Sequence, residues 1–129
     1  MTDQELLAAI LFSETKDPLD ALAIANVVKN RAMRPNRFGE GIQGVLTKPK
    51  QFSGYGSKEY KKAVSGKLTA EEKKILKKFE IISKNVIIGL MGDTTGGADH
   101  YFNPKLVKPS WAKDMTKMYQ TDSHEYYKE

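Results

Sequence analysis

The sequence predicts a single, mainly α (α+β) domain spanning residues 1–129, with irregular glycine- and aromatic-rich loops and a small β element near residues 92–104. Three observations carry this. Thr2-Asp3-Gln4-Glu5 and Thr69-Ala70-Glu71-Glu72 are capping boxes, in which Thr and the third helical Glu satisfy each other's backbone N–H groups. Apolar residues after each box recur at helical spacing. From Gly92 the period stops: GDTTGGADHYFNP has three glycines, a proline and no helical repeat. A chain of 129 residues suits one domain around one core.

The first helix is predicted from residue 3 to about Glu14. Leu7, Ile10, Leu11 and Glu14 fall at i, i+3, i+4 and i+7, one face that should be buried. Asp17-Pro18 reads as an N-cap followed by proline at the first helical position, so a second helix runs from Pro18 to about Met33. Its apolar face is Ala21, Ile24, Ala25 and Val28, small enough for close helix contact. Residues 34–41 (RPNRFGEG) read as a loop, and residues 42–47 as a short helix. Residues 48–57 (KPKQFSGYGS) form an aromatic loop. Ser57 to Gly66 gives a third helix with a glycine stop. The helix opened at Thr69 is the longest, with Ile75, Phe79, Ile82, Val86 and Leu90 on one stripe and Lys73, Lys74, Lys77 and Lys78 on a solvated face. The tail from Pro109 carries Trp111, Tyr119, Tyr126 and Tyr127, and is aromatic enough to pack back on the body.

Composition excludes more than it selects. Hydrophobic residues make up 40% and charged residues 29%, an ordinary globular balance. There is no cysteine, hence no disulfide framework and no thiolate metal site. The first residues include Asp3 and Glu5, and LLAAILF is too short for a signal or membrane segment, so no leader and no membrane insertion are expected. The formal charge of +5 suits anionic partners such as nucleic acid, acidic lipid or a bacterial wall, and serves solubility equally well.

Glu14 is the candidate for chemistry. A carboxyl group on an apolar helix face is partly desolvated, which disfavours its charged form. A glutamic acid kept protonated near neutral pH can protonate a leaving oxygen, as glycosidase acids do. A solvent-facing Glu14 in a frayed last turn is the competing reading. Metal chemistry has little support, because His100 and His124 lack ligand-spaced partners and Asp93 with Asp99 does not make a calcium loop. No GxSxG elbow is present, and TTGG at 94–97 lacks the lysine of a phosphate loop and reads as a tight turn.

Taken in order, these pieces resemble the SleB-type cell wall hydrolases, which include spore-cortex-lytic enzymes and phage lysins. The resemblance runs from about Leu6 to Tyr127. It rests on LLAAILFSE ending at Glu14, IANVVKNR at residues 24–31, Gln51-Phe52-Ser53, DTTGGADHYFNP at residues 93–104, Trp111, and His124-Glu125-Tyr126-Tyr127. Ser13-Glu14-Thr15-Lys16-Asp17 stands where the family often has a G-E-A-R-G-E pattern. Thr94 replaces its usual proline and Tyr126 its phenylalanine.

The resemblance implies a lysozyme-like domain that cleaves peptidoglycan between N-acetylmuramic acid and N-acetylglucosamine, with Glu14 as the acid. It implies substrate contacts from Asn30, Gln51, Phe52, Ser53, Thr95, Tyr101, Asn103 and His124, with no metal or cofactor. A muramidase needs a second carboxylate, for which Asp93 and Asp99 are the candidates. A lytic transglycosylase does not, and is favoured. Peptidoglycan strands are the expected partner of a monomer that binds no nucleic acid. It would be made in the cytoplasm and reach the wall by phage-mediated release or as a virion component. The alternatives are a non-catalytic wall-binding or virion structural domain of the same fold, and a small basic nucleic-acid-binding domain. The second would need a basic recognition helix, whereas the helices here carry lysines mixed with glutamates, and the loop aromatics are not interleaved with arginines.

Overall fold

The computed structural model describes all 129 residues. Six helices come first in the chain: α1 (Asp3–Glu14), α2 (Pro18–Ala32), α3 (Pro35–Phe38), α4 (Gly41–Thr47), α5 (Lys58–Ser65) and α6 (Ala70–Ile87). Three short strands follow: β1 (His100–Phe102), β2 (Thr116–Gln120) and β3 (Glu125–Lys128). They pair antiparallel in the order β1-β3-β2, with Tyr101 opposite Tyr126 and a register shift between Lys117 and Tyr119. Both capping boxes form, and the Asp17 side chain accepts the N–H of Leu19 at the start of α2.

Helix α1 is the axis of the core. Every residue from Leu6 to Phe12 is buried, not only the predicted face, because α2, α4, α5 and α6 all pack against this helix. A helix that is apolar all round must be covered all round. Burial of Leu7, Ile10, Leu11 and Phe12 contributes about 1.5–3 kcal/mol each. Glu14 therefore sits on a rod whose position is fixed from several sides. Beyond it, the Lys16 ammonium bonds the Phe12 carbonyl and lies 3.6 Å from the Phe12 ring centroid, satisfying an orphan acceptor at the helix end.

Two sequence expectations change. Residues 34–41 are not all loop: Pro35 starts the one-turn α3, which inserts Phe38 into the core at 1% exposure. Leu90 leaves the α6 stripe, since the helix stops at Ile87, Gly89 turns the chain at φ 81°, and Leu90 is 75% exposed. The tail packs back as expected, and does so as two strands. Lys73, Lys74, Lys77 and Lys78 are exposed on α6 as expected.

Trp111 docks on the sheet and not in the main core. It is half-buried in a 3-10 turn (Ser110–Asp114), with ring centroids 5.0 Å from His100, 5.6 Å from Phe102 and 5.8 Å from Tyr127. Trp111→Ala is therefore expected to cost about 1.5–3 kcal/mol, less than a fully buried tryptophan. Urea unfolding monitored by far-UV circular dichroism checks this, and an unchanged midpoint would contradict the docking.

Candidate active site

A cleft of about 400 Å³ opens where the end of α1, the 51–54 loop, β1 and the start of β3 converge. Glu14, Ser13, Arg31, Gln51, Ser53, Tyr101, Asn103 and His124 line it, with Phe102, Leu106 and Val107 at its apolar side. Residues far apart in sequence meet because the sheet brings β1 and β3 beside the C-terminal end of α1.

Glu14 is the only carboxylate in the lining. Burial pushes its pKa above the ordinary carboxyl value, and nearby His124, Tyr101 and the Gly54 backbone oppose this without cancelling it. Its place as the last residue of α1 acts in the same sense as burial, because the helix C-terminus carries partial negative charge. The half-buried side chain is thus biased towards the neutral acid.

His124 is held from behind. Its Nδ1 lies 2.7 Å from Oδ2 of Asp20, which is fully buried. Thr121 Oγ1 donates to Asp20 Oδ1 at 2.7 Å, and the Tyr126 hydroxyl donates to the same oxygen. Burial raises the Asp20 pKa, but hydrogen bonds from His124, Tyr126 and Thr121 outweigh it and leave the pKa lowered. An ionised carboxylate only accepts, so Nδ1 carries the proton and Nε2 is the ring's remaining polar atom.

The opposite wall is built on Arg31, whose Nε donates to the Asp99 carbonyl at 2.6 Å. Its guanidinium lies 5.1 Å from the ring centroids of both Phe38 and Phe52. Its contact to Gln51 Oε1 is longer, at 3.4 Å. Tyr101 stacks on Tyr126 at 5.7 Å and meets His124 edge-on at 5.3 Å. Asn103 Oδ1 accepts the Lys105 N–H at 2.9 Å, which shapes the 103–107 turn at the rim.

The fold brings Glu14, Gln51, Ser53, Tyr101, Asn103 and His124 together, and leaves three expected contact residues outside the cleft. Asn30 donates to Asp93 Oδ2 and to the Ala98 carbonyl, both at 2.9 Å. Thr95 is fully buried and bonded to Asp93. Phe52 is 5% exposed and belongs to the core beneath Arg31 and Tyr101. Each supports a wall, because its polar or apolar groups are already satisfied inside the protein. Asp93 and Asp99 lie outside the cleft too. The first holds the 93–97 turn through Thr95 and Gly97, and the second binds Arg34, His100 and the Glu129 N–H. No three His, Asp or Glu side chains come together in a way that would hold a metal ion.

Sequence reasoning missed Asp20, Arg31 and Gly54. A charged residue inside an otherwise apolar helix face was the available signal for Asp20. For Gly54 it was a glycine directly after Gln51-Phe52-Ser53. A Cβ on Gly54 would lie 2.1 Å from Ser13 Oγ and 3.0 Å from Glu14 Oε1. Ser13 cannot easily yield, since its hydroxyl donates to the Ile10 carbonyl at 2.6 Å. Gly54→Ala is expected to cost about 1–3 kcal/mol and displace the loop from the acid. The check is thermal unfolding beside a wall-degradation assay, and full activity would mean that the loop position is unimportant.

A model of the cell wall hydrolase family matches residues 16–127. That match begins just after Glu14. No curated protein matches the sequence at a significant level. Two solved structures share the fold. The catalytic domain of the SleB protein of Bacillus cereus has 25% identity and a TM-score of 0.71, covering 98% of this chain and 89% of that one. The catalytic domain of the germination-specific lytic transglycosylase SleB of Bacillus anthracis has 22% identity and a TM-score of 0.70, covering 98% and 93%. The chain therefore belongs to the cell wall hydrolase family of peptidoglycan-degrading enzymes.

Proposed function

We propose that the chain cleaves the β-1,4 bond from N-acetylmuramic acid to N-acetylglucosamine as a lytic transglycosylase, with Glu14 as general acid and then general base. The observation that carries this reading is a cleft with one carboxylate, biased towards its protonated form. Hydrolysis by a carboxylate pair requires a second acid across the scissile bond, and neither Asp93 nor Asp99 reaches the cleft.

The proton ledger closes with Glu14 alone. Protonated Glu14 gives its proton to the glycosidic oxygen, and the bond to C1 of muramic acid breaks. The resulting carboxylate takes the proton of the muramic acid 6-hydroxyl as that oxygen attacks C1. The products are a 1,6-anhydro-muramic end and a free 4-hydroxyl on N-acetylglucosamine, and Glu14 is reprotonated. His124 and Tyr101 favour the charged form of Glu14, so they steady the carboxylate between the two transfers. Gln51, Ser53 and Asn103 offer the amide and hydroxyl groups that neutral sugars bind.

Mass spectrometry of soluble products from purified peptidoglycan tests the reaction type. Ends of 1,6-anhydro-muramic acid are expected. Reducing muramic acid ends would replace the reading with hydrolysis. For delivery, the resemblance to a family that includes phage lysins supports release by a phage. Lysis of host cells making the full chain only when their membrane is permeabilised is the expected sign.

A further inference from the structure

A second cavity, of about 300 Å³, adjoins the cleft and shares Arg31, Gln51 and Tyr101 with it. No other cavity of the chain shares a wall with the cleft. Its remaining walls are Arg37, Lys50, Phe38, His100 and Trp111, and no carboxylate lines it. The ions differ in how they are held. Arg37 is paired with Glu129, at 2.8 Å through Nη2. Lys50 has no ion pair or hydrogen bond from its ammonium. It is also the one non-glycine residue with positive φ, at 65°. A side chain in the left-handed region costs about 1 kcal/mol where glycine would cost nothing. Lys50 lines the cavity beside the cleft with its ammonium unpaired.

The chemistry of the polymer says what must pass there. On the reading proposed above, the sugar whose C1 reacts beside Glu14 is a muramic acid. Its O3 carries a lactyl ether and, through it, a short peptide with free carboxylates. That substituent has to leave the cleft from the reacting sugar itself. We propose that the second cavity is a carboxylate-binding subsite for this peptide stem. Lys50 and Arg37 meet its carboxylates, and the half-buried Trp111 ring covers its methyl groups. The subsite makes the enzyme selective for strands that still bear stems. Charge-assisted hydrogen bonds suit the task, because a glycan stripped of its stems keeps only the lactyl carboxylate next to the sugar and loses the stem's carboxylates further out.

The test is a binding measurement that does not depend on bond cleavage. The Glu14→Gln protein, full length, is titrated calorimetrically with the disaccharide N-acetylglucosaminyl-N-acetylmuramyl tetrapeptide. The same disaccharide, freed of its peptide by an amidase, is the comparison. The stem-bearing form is expected to bind about tenfold more tightly, with the advantage shrinking at high salt. Lys50→Ala should remove most of that advantage, and Lys50→Ala with Arg37→Gln all of it. Both positions are exposed, so the variants fold. Equal affinity for the two ligands, no binding of either, or an advantage that survives the double variant would each overturn the proposal. Product analysis with the wild type reports separately on the transglycosylase reading, so the two fail independently.

Discussion

Glu14→Gln is expected to lower the rate of peptidoglycan cleavage by about 10²–10⁴-fold, the usual contribution of a positioned proton donor. The amide keeps the shape of the protonated side chain and cannot give up a proton. Fold and wall binding should survive, since the neutral amide replaces a group that burial already biases towards neutrality. Turbidity loss of purified sacculi measures the rate, and co-sedimentation measures binding. Near-wild-type cleavage would remove Glu14 from the mechanism.

The same variant has a stability signature with a defined sign. The folded-state pKa of Glu14 is raised, so the folded protein holds this proton at pH values where the unfolded chain has lost it. Stability from this site is complete below the ordinary carboxyl pKa and falls as pH rises through the folded value. Above that window the wild type carries a desolvated charge and the glutamine variant does not. The variant's melting temperature should therefore exceed the wild type's near pH 8, and the gap should close towards pH 4. A gap of constant size would mean that Glu14 is solvated. The wild type's kcat/KM should fall on the alkaline side as Glu14 loses its proton, at a pH above the ordinary carboxyl range.

Asp20→Ala should be the most damaging single change to the fold, at about 3–5 kcal/mol, the range for removing one partner from a buried charged network. Asp20 is fully buried and is the acceptor for His124 Nδ1, Thr121 Oγ1 and the Tyr126 hydroxyl. Its loss strands three donors in a largely buried site. The same bonds pin α2 to β3, so the damage reaches the cleft through His124 and Tyr126. Asp20→Asn keeps one acceptor oxygen and should cost less, yet it should still free the His124 ring. Urea unfolding gives the stabilities. The His124 ring resonances in NMR give the second effect, which a purely structural role for Asp20 would leave in place. Equal stability of the alanine variant and the wild type would show the network to be idle.

Local rules made the helical half of this protein legible. Both capping boxes, the Asp17-Pro18 start and the exposed α6 lysines depend on neighbours within a turn or two, and each stands where the sequence placed it. The 93–97 turn was legible too, because Asp93 closes it on its own backbone neighbours. Leu90 was misread because a 3.6-residue period continues on paper past the point where Gly89 ends the helix. Phe38 was misread because Pro and Gly around it signal a loop, while its burial is a tertiary fact.

By itself the sequence determined a helical frame, an irregular glycine-rich segment, and one acid at the end of an apolar helix. Those follow from short-range hydrogen bonding and hydrophobic period, which the chain carries wherever it folds. The tertiary structure alone decided which polar groups face the cleft. Asn30, Thr95, Asp93 and Asp99 carry the same chemical groups as Gln51, Ser53, Asn103 and Glu14, yet only the second set lines the cleft, while the first is hydrogen-bonded outside it. Asp20 acts on the cleft across more than a hundred residues of sequence, through a sheet that exists only once β1 and β3 have paired. Desolvation, which biases Glu14 towards its acid form, is a property of everything packed around it and of no single stretch of chain.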